Sequence, residues 1–274
     1  MLTINCRGKL IDFSTPRVMG ILNITPDSFY DGGNYKNEHD ILKQTQKMLS
    51  EGATFIDIGA YSSRPGAEQV SEEEELYRII PIIKLLVSHF PEIIISVDTF
   101  RSVVARECIE SGAAIINDIS GGKLDKKMFN TIADLQVPYI VMHMAGTPQD
   151  MQKNPSYQDV TKEVVSFFSE QIYKLHEIQI DDILIDVGFG FGKSVFHNYE
   201  LLSNLSLFES LGKPILTGVS RKSMLYKPLN ILPKDALNAT TSANTIALLN
   251  GTNVLRVHDV KEAVEAIKIV KQLS

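Results

Sequence analysis

The side chains best suited to bind a ligand by hydrogen bonds are two carboxylates and an amide, which lie at or near the ends of separate apolar runs. Asp98 ends the run IIISVD, Asn117 lies in AIIND, and Asp186 lies in ILIDVG. A carboxylate accepts two parallel N–H bonds, and an amide offers both a donor and an acceptor. If the fold brings the three groups together, they form a receptor for a flat heterocycle that is rich in N–H donors.

A second set of polar residues in the same kind of position is basic. Arg256 and His258 lie in the run VLRVH, Lys222 follows PILTGVS, and Arg64 lies in the segment AYSSRPGAEQVS. A guanidinium binds phosphate as a two-pronged fork, and an ammonium binds it as a point charge. Each residue alone could be an ordinary polar cap of a strand, but the combination of acids, amide and bases favours one binding site for an anionic ligand.

The sequence offers few metal ligands. Cys6 and Cys108 are its two cysteines, they form no CxxC pair, and no two histidines have the spacing of ligands on a helix. Magnesium prefers oxygen ligands and keeps several waters, so one side-chain carbonyl together with phosphate oxygens can hold it. Asn23, near the end of the run VMGILNI, is the candidate ligand.

The segment 188–194 reads GFGFGKS and is similar to a phosphate-binding loop. The Walker pattern requires a glycine where Val187 lies, and the dinucleotide pattern G-x-G-x-x-G is also absent. We therefore interpret the segment as a flexible loop that brings its backbone and the ring of Phe191 close to a ligand, with an ordinary turn as the alternative. His143 is interpreted as a strand-end histidine with a satisfied ring rather than as a ligand contact.

The positions of these residues in the fold follow from the predicted strands and helices. Eight short, nearly continuous apolar runs alternate with stretches of helical period, a pattern typical of a parallel sheet whose outer face is covered. Eight strand–helix units predict an α/β fold, the (β/α)₈ TIM barrel, whose active site lies at the carboxyl ends of the strands; an open doubly wound sheet is the alternative. The predicted strands are 18–24, 55–59, 93–98, 114–118, 139–143, 183–188, 214–220 and 254–258.

The remaining segments complete this prediction. The first dozen residues predict a short β-hairpin that turns near Arg7 and Gly8 and closes the amino-terminal end of the barrel. No Pro/Ser-rich linker interrupts the pattern, so we expect a single domain over 1–274. The loops 25–35 and 60–71 are long and rich in Gly and Pro, which is typical of a closing lid, although simple connectors have the same composition.

Composition excludes several classes of protein. With 44% hydrophobic and 22% charged residues, the chain can bury a large core, which excludes a disordered or fibrous protein. The net charge of −6 and the absence of a basic run argue against a nucleic-acid partner. No stretch approaches 18 uncharged apolar residues, and two cysteines form no disulfide framework, so we expect a cytoplasmic protein without a membrane partner.

Eight short motifs along most of the chain resemble the dihydropteroate synthase family, whose members join a pterin to para-aminobenzoate in the folate pathway. In the family's order they are MGILNITPDSFYDGG, DIGAYSSRPGA, SVDTF, INDISGG, VMHMAGTPQDMQ, DVGFGFGK, GVSRKSML and LRVHDV. An ordered set of this length is far more specific than any single motif. The resemblance implies a (β/α)₈ barrel, in agreement with the strand count, and a transferase that releases pyrophosphate.

The resemblance also implies roles for individual residues. The pterin pyrophosphate would contact Ser63, Arg64, Asp98, Asn117, Asp186, Lys222, Arg256 and His258. Among these, the catalytic residues would be Lys222, Asp98, Asp186 and Arg256. The aminobenzoate would contact Phe29, Ser63, Pro65, Phe191, Arg221 and Ser223. Asn23 would ligate Mg²⁺, and the protein would be a homodimer and a sulfonamide target.

Two other functions stay open at this level. One is a methyltetrahydrofolate-binding barrel of a corrinoid methyltransferase, which needs no pyrophosphate site; the other is a catalytically silent pterin-binding paralogue, which is expected to lose some of the basic or metal-side residues. The second loop also departs from the family's usual Gly-Gly-Glu-Ser-Thr-Arg-Pro, because 59–65 reads Gly-Ala-Tyr-Ser-Ser-Arg-Pro. Ser63 keeps the hydroxyl of threonine but lacks its methyl group, which leaves the degree of sulfonamide sensitivity open.

Overall fold

The apolar runs form a closed barrel of parallel strands. The computed structural model describes residues 2–24, 35–61, 70–151 and 155–273. In these ranges, eight strands follow one another around the ring in chain order, and the last pairs with the first to close it. They are β3 (Arg17–Asn23), β4 (Phe55–Gly59), β5 (Ile95–Asp98), β6 (Ile115–Asp118), β7 (Tyr139–Met142), β8 (Ile183–Asp186), β9 (Ile215–Thr217) and β10 (Val254–Val257). The predicted (β/α)₈ barrel is confirmed, and the open sheet is excluded.

Helices cover the outside of the barrel. In the described ranges they are α1 (Tyr35–Ser50), α2 (Glu72–His89), α3 (Ser102–Glu110), α4 (Met128–Leu135), α5 (Val160–Glu177), α6 (Val195–Ser203), α7 (Ser223–Leu229), α8 (Leu237–Leu249) and α9 (Val260–Val270), with short 3₁₀ turns at Leu205–Leu211, Pro233–Asp235 and Lys271–Leu273. The Ser71 hydroxyl accepts from the Glu74 N–H and starts α2. Gly112, at φ 116°, lets the chain leave α3 in a conformation that favours glycine. None of these helices is long and apolar enough to cross a membrane.

The hairpin predicted at the amino terminus is also present. Strands β1 (Thr3–Cys6) and β2 (Lys9–Asp12) pair antiparallel, with Arg7 and Gly8 both at positive φ in the turn. The buried residues Ile4, Ile11 and Phe13 pack against the lowest layer of the barrel interior. That layer consists of Met19, Phe55, Ile115, Ile140, Leu184, Leu216 and Val254. The hairpin therefore closes the amino-terminal end of the barrel.

The barrel interior is apolar at the amino-terminal ends of the strands and polar at their carboxyl ends, here called the mouth of the barrel. On β4, Ile56 and Ile58 pack in the cluster beneath the helices, whereas Phe55 lies in the barrel interior. Alternate residues of a strand share a face, so Asp57 lies on the interior face two residues closer to the carboxyl end. The same step leads from Val254 to Arg256 on β10. Apolar side chains therefore fill one end of the interior, and charged side chains fill the other.

Candidate active site

The centre of the polar mouth is a buried cluster around Asp57. The carboxylate Oδ2 of Asp57 accepts hydrogen bonds from Arg256 Nε at 2.7 Å and from Asn117 Nδ2 at 3.2 Å. Arg256 Nη2 lies 2.6 Å from the same oxygen and 3.3 Å from Asp98 Oδ2. Asp98 and Asn117 are register partners on the neighbouring strands β5 and β6. One guanidinium thus links acids of two strands, and an amide from a third strand completes the cluster.

Asp57 was missed by the sequence analysis. It is fully buried, and it lies inside the apolar run FIDIG rather than at its end. The signal was nevertheless present, because a carboxylate between two isoleucines of a buried strand requires a partner. The partner, Arg256, is 199 positions away in the sequence and is brought close by closure of the barrel.

Two oxygens of this cluster are buried without a hydrogen-bond partner in the described residues. They are Oδ1 of Asp57 and Oδ1 of Asn117. A buried acceptor without a donor costs about 1–3 kcal/mol, and polar groups in this state are uncommon in folded proteins. Both oxygens belong to the cluster that also contains Asp98 and Arg256. The cluster therefore has more acceptors than donors, which favours a ligand that presents N–H groups.

Lys222 approaches the same mouth from the segment after β9. Its Nζ donates to the Phe189 carbonyl at 2.6 Å and lies 4.9 Å from the centre of the Phe191 ring. A Cβ placed on Gly190 would lie 3.5 Å from Lys222 Cδ, and one placed on Gly218 would lie 3.8 Å from Lys222 Nζ. The side chain of Lys222 therefore lies between two backbone segments that carry no side chain at the contact.

Burial shifts the protonation equilibria of these groups toward their neutral forms. Burial raises the pKa of Asp98 to about 7, although the Arg256 charge opposes the shift, and Asp57 adds to it. Burial lowers the pKa of Lys222 to about 8, with the Asp186 charge opposing. Burial also raises the pKa of Asp186, whose Oδ1 accepts the Gly188 N–H at 2.8 Å. A carboxyl and an ammonium whose pKa values are both shifted toward neutrality, as in Asp98 and Lys222, are typical of a functional site.

His258 lies beside this cluster and is held from the β9 side. Ser220 Oγ lies 3.0 Å from His258 Nδ1 and accepts the His258 backbone N–H at 3.2 Å. A hydroxyl that accepts from the backbone is free to donate to the ring nitrogen. In that arrangement the Nε2 atom of a neutral His258 carries the proton.

Arg221, which directly precedes Lys222, binds a carboxylate and two backbone carbonyls. Its Nε and Nη2 bind both carboxylate oxygens of Asp259, at 2.9 and 2.8 Å, and its Nη1 donates to the carbonyls of Pro233 and Lys234. The guanidinium is therefore committed to the chain after β10 and to the turn before α8. Its expected contact with the aminobenzoate stays a prediction.

Ser223 and Phe191 both lie next to Lys222. Ser223 is the first residue of α7, directly after Lys222, which occupies the cap position of that helix. Phe191 is half-buried and packs beside the Lys222 ammonium. Both are therefore adjacent to the charged mouth of the barrel.

Hydrogen bonds hold the backbone of the glycine-rich segment after β8. The buried Nζ of Lys193 donates to the carbonyls of Gly188 at 3.0 Å and Phe191 at 3.1 Å, and it lies 2.9 Å from Nδ1 of His143. Tyr157 donates to the Gly192 carbonyl at 2.8 Å. These donors bind three carbonyls of the segment and the chain beside it, and the expectation of a flexible loop stays a prediction. The interpretation of His143 as a satisfied strand-end histidine is confirmed.

Asn23 ends β3 at the same edge of the barrel, with a half-buried side chain. Across the described part of the chain, no group of three or more His, Cys, Asp or Glu side chains could hold a metal ion by itself. A single amide oxygen fits magnesium only where phosphate oxygens and waters supply the other positions. The donor set therefore fits a cation that arrives with a phosphorylated ligand.

Four expected site residues, Phe29, Ser63, Arg64 and Pro65, lie outside the described residues. The described residues that the structure brings together are Asp98, Asn117, Asp186, Lys222 and Arg256, with Asp57 at their centre. This arrangement can bind a flat, donor-rich ring beside an anionic group.

Comparison with known proteins agrees with this geometry. A family model described as "Pterin binding enzyme" matches residues 19–258. The dihydropteroate synthase of Escherichia coli (strain K12) is 45% identical over 97% of this chain and 94% of its own length. The Yersinia pestis dihydropteroate synthase, solved with a sulfonamide drug, has a TM-score of 0.93 at 42% identity and covers 99% of both chains.

A further solved structure is similar over nearly the whole chain. The Xanthomonas albilineans dihydropteroate synthase in complex with 7,8-dihydropteroate has a TM-score of 0.88 at 37% identity, covering 99% of this chain and 98% of that one. The family match extends over most of the barrel, and the E. coli relative is aligned almost end to end. The chain therefore belongs to the pterin-binding enzymes and, within them, to the dihydropteroate synthase family of transferases in folate biosynthesis.

Proposed function

We propose that this chain condenses 6-hydroxymethyl-7,8-dihydropterin pyrophosphate with para-aminobenzoate to give 7,8-dihydropteroate and pyrophosphate. The observation that carries the proposal is the buried acceptor cluster around Asp57, in which Oδ1 of Asp57 and Oδ1 of Asn117 have no partner among the described residues. A dihydropterin presents amino and ring N–H groups along one edge, which is the chemistry that this cluster needs. The family membership supports the same substrate.

In the proposed complex, Asp98, Asn117 and Asp186 bind the N–H groups of the pterin ring. Lys222 donates to the ring carbonyl, and the Arg256 guanidinium lies close to the ring plane. Support comes from the shared location of these side chains at one end of the barrel and from their burial, which strengthens each hydrogen bond relative to water.

The reaction forms one bond and breaks one. The amine nitrogen of aminobenzoate bonds to the exocyclic methylene carbon, the carbon–oxygen bond to pyrophosphate breaks, and the departing oxygen keeps the electron pair. The nitrogen then loses one proton. An arylamine is already neutral at pH 7, so the step needs no strong base. The ring gains positive charge as pyrophosphate departs, and the carboxylates of Asp98 and Asp186 stabilise that charge.

The anionic end of the substrate is proposed to lie against Arg64, Ser63, Arg256 and His258. Asn23 would hold Mg²⁺, which supplies charge neutralisation for the departing pyrophosphate. His258, with its Nδ1 facing the Ser220 hydroxyl, can donate from Nε2 to a phosphate oxygen. The aminobenzoate would lie against Phe29, Ser63, Pro65, Phe191 and the start of α7 at Ser223. Sulfonamides, as aminobenzoate analogues, would compete there.

We also propose that the protein is a homodimer in the cytoplasm. The adjacent helices α6, α7 and α8 carry exposed apolar side chains on their outer surfaces, including Phe196, Leu229 and Leu249. A second copy of the chain would cover this surface in a homodimer, in agreement with the family resemblance. The enzyme would act in the cytoplasm.

One assay separates the proposal from its alternatives. Pyrophosphate release that requires both aminobenzoate and magnesium supports the synthase. Tight binding of methyltetrahydrofolate without such release would instead indicate a corrinoid methyltransferase barrel. Binding of pterin pyrophosphate with no release in the presence of both would indicate a silent paralogue.

A further inference from the structure

The buried ammonium of Lys193 is not explained by the proposed reaction. The side chain is about 2% exposed, and its Nζ lies within 3.2 Å of four acceptors. Three are the carbonyls of Gly188, Phe191 and His143, and the fourth is Nδ1 of His143. Among the described residues, no carboxylate lies within ion-pair distance of Lys193. Burial lowers the pKa of Lys193 to about 7, and the charge of Asp186 opposes this shift. The four acceptors around Nζ are removed from water, so their hydrogen bonds to Lys193 hold the groups that carry them in place.

The backbone around Lys193 is packed too closely to take another path. A Cβ on Gly188 would lie 1.9 Å from the His143 carbonyl oxygen, and one on Gly192 would lie 2.5 Å from the Ala145 carbonyl oxygen. Both glycines have positive φ. The segment 188–192, here the glycine loop, therefore lies directly against the chain that follows β7, and Lys193 ties the two together.

Two residues of the glycine loop that Lys193 does not contact, Phe189 and Gly190, lie against Lys222. The carbonyl of Phe189 accepts from Lys222 Nζ at 2.6 Å, and Gly190 leaves room for the Lys222 stem. These two residues lie between the Lys193-bound carbonyls of Gly188 and Phe191. Because Lys193 binds carbonyls on both sides of Phe189, it fixes the Phe189 carbonyl that accepts from the Lys222 ammonium.

We propose that Lys193 is a positioning residue for Lys222: it holds the glycine loop so that the Phe189 carbonyl and the Phe191 ring aim the Lys222 ammonium at the pterin pyrophosphate. The segment 188–194 is similar in sequence to a phosphate-binding loop, but its lysine has a different function. Its lysine binds the carbonyls of its own loop instead of a phosphate. The inference rests on the proposed function for the identity of the ligand.

A double-mutant cycle tests whether Lys193 acts through Lys222. Calorimetry measures the dissociation constant of pterin pyrophosphate for the wild type, Lys193→Met, Lys222→Met and the double variant. We expect Lys193→Met to weaken binding about tenfold when Lys222 is present and less than about twofold when it is absent. Equal weakening in both backgrounds would overturn the inference, because it would show that Lys193 merely stabilises the fold.

Lys123→Met is the matched control. Lys123 is a half-buried lysine whose Nζ lies 4.4 Å from the centre of the Phe167 ring and contacts the Met144 carbonyl, outside the glycine loop. It should change binding less than about twofold in either background. If Lys193→Met does not fold, Tyr157→Phe, which removes only the donor to Gly192, should weaken binding about threefold in the wild-type background alone.

A ligand-free measurement separates this inference from the proposed function. In protein labelled with ¹³C-lysine, the side-chain resonance of Lys222 is assigned by its loss in Lys222→Met. It should move in Lys193→Met and stay in place in Lys123→Met. An unchanged Lys222 resonance overturns the inference whatever the ligand is, whereas a wild type that neither binds pterin pyrophosphate nor releases pyrophosphate overturns the proposed function.

Discussion

Lys222 is the single residue whose removal tests the proposed site most directly. Lys222→Met removes a charge-assisted donor and leaves its partners unpaired, so transition-state stabilisation should fall by at least about 2 kcal/mol, which is about 30-fold in kcat/KM. Steady-state pyrophosphate release measures this loss. Lys227→Met, an exposed lysine on the same helix, is the control. Near-full turnover of Lys222→Met would contradict the role of Lys222.

Asp98 gives the site a pH dependence with a defined sign. Its pKa of about 7 means that the carboxylate ionises as pH rises through neutrality, and only the ionised form accepts N–H groups through both oxygens. Affinity for pterin pyrophosphate should therefore rise through about pH 7. It should then fall above about pH 8, where Lys222 loses its proton.

Asp98→Asn should remove the lower limb of that profile. The amide presents donors to the ring's own N–H groups, so affinity should drop about tenfold at the optimum and stop changing with pH below it. Calorimetry over a pH series measures both effects, and Asp134→Asn on the surface of α4 is the control. An unaltered lower limb in Asp98→Asn would assign the titration to another group.

At the scale of elements, a substitution in the β1–β2 hairpin should change the free energy of unfolding without changing ligand affinity at the mouth of the barrel. Ile4 is fully buried in the lowest interior layer, at the end of the barrel opposite Lys222 and Arg256. Ile4→Ala should lower the free energy of unfolding by about 3 kcal/mol through lost burial and a cavity, with pterin affinity unchanged. Denaturant unfolding and calorimetry measure the two quantities.

The same hairpin supplies the control for that substitution. Leu10 is 68% exposed, so Leu10→Ala should change the free energy of unfolding by less than about 0.5 kcal/mol. Equal destabilisation by Leu10→Ala and Ile4→Ala would show that the hairpin does not close the barrel in the way described.

At the scale of the whole molecule, the outer surface of α6, α7 and α8 predicts a homodimer. Phe196 is 74% exposed and Leu249 58% exposed, although both are apolar. Phe196→Glu and Leu249→Glu should each shift the protein toward a monomer in sedimentation velocity, because a charge buried in the interface lacks a partner. Tyr173→Glu, at an exposed aromatic on α5, should leave the assembly unchanged. A wild type that sediments as a monomer would exclude this interface.

Local chemistry in the sequence was enough to predict the alternation of strands and helices. Continuous runs such as FIDIG and ILIDVG are typical of strands that are covered on both sides, and eight of them alternating with amphipathic segments favour a barrel over an open doubly wound sheet. Polar residues at their carboxyl ends then had to converge, which correctly grouped Asp98, Asn117, Lys222 and Arg256. These inferences succeed because hydrophobic period and strand direction are properties of neighbouring residues.

The tertiary structure alone decided which partner each charged side chain takes. Arg256 binds Asp57, Arg221 binds Asp259, and Lys193 binds the carbonyls of its own loop. Nothing in the spacing of these residues distinguishes such pairings, because Asp57 and Arg256 meet only when the last strand pairs with the first. A buried charge must find its compensating dipole or countercharge wherever the closed barrel leaves one, and that location depends on contacts between distant segments.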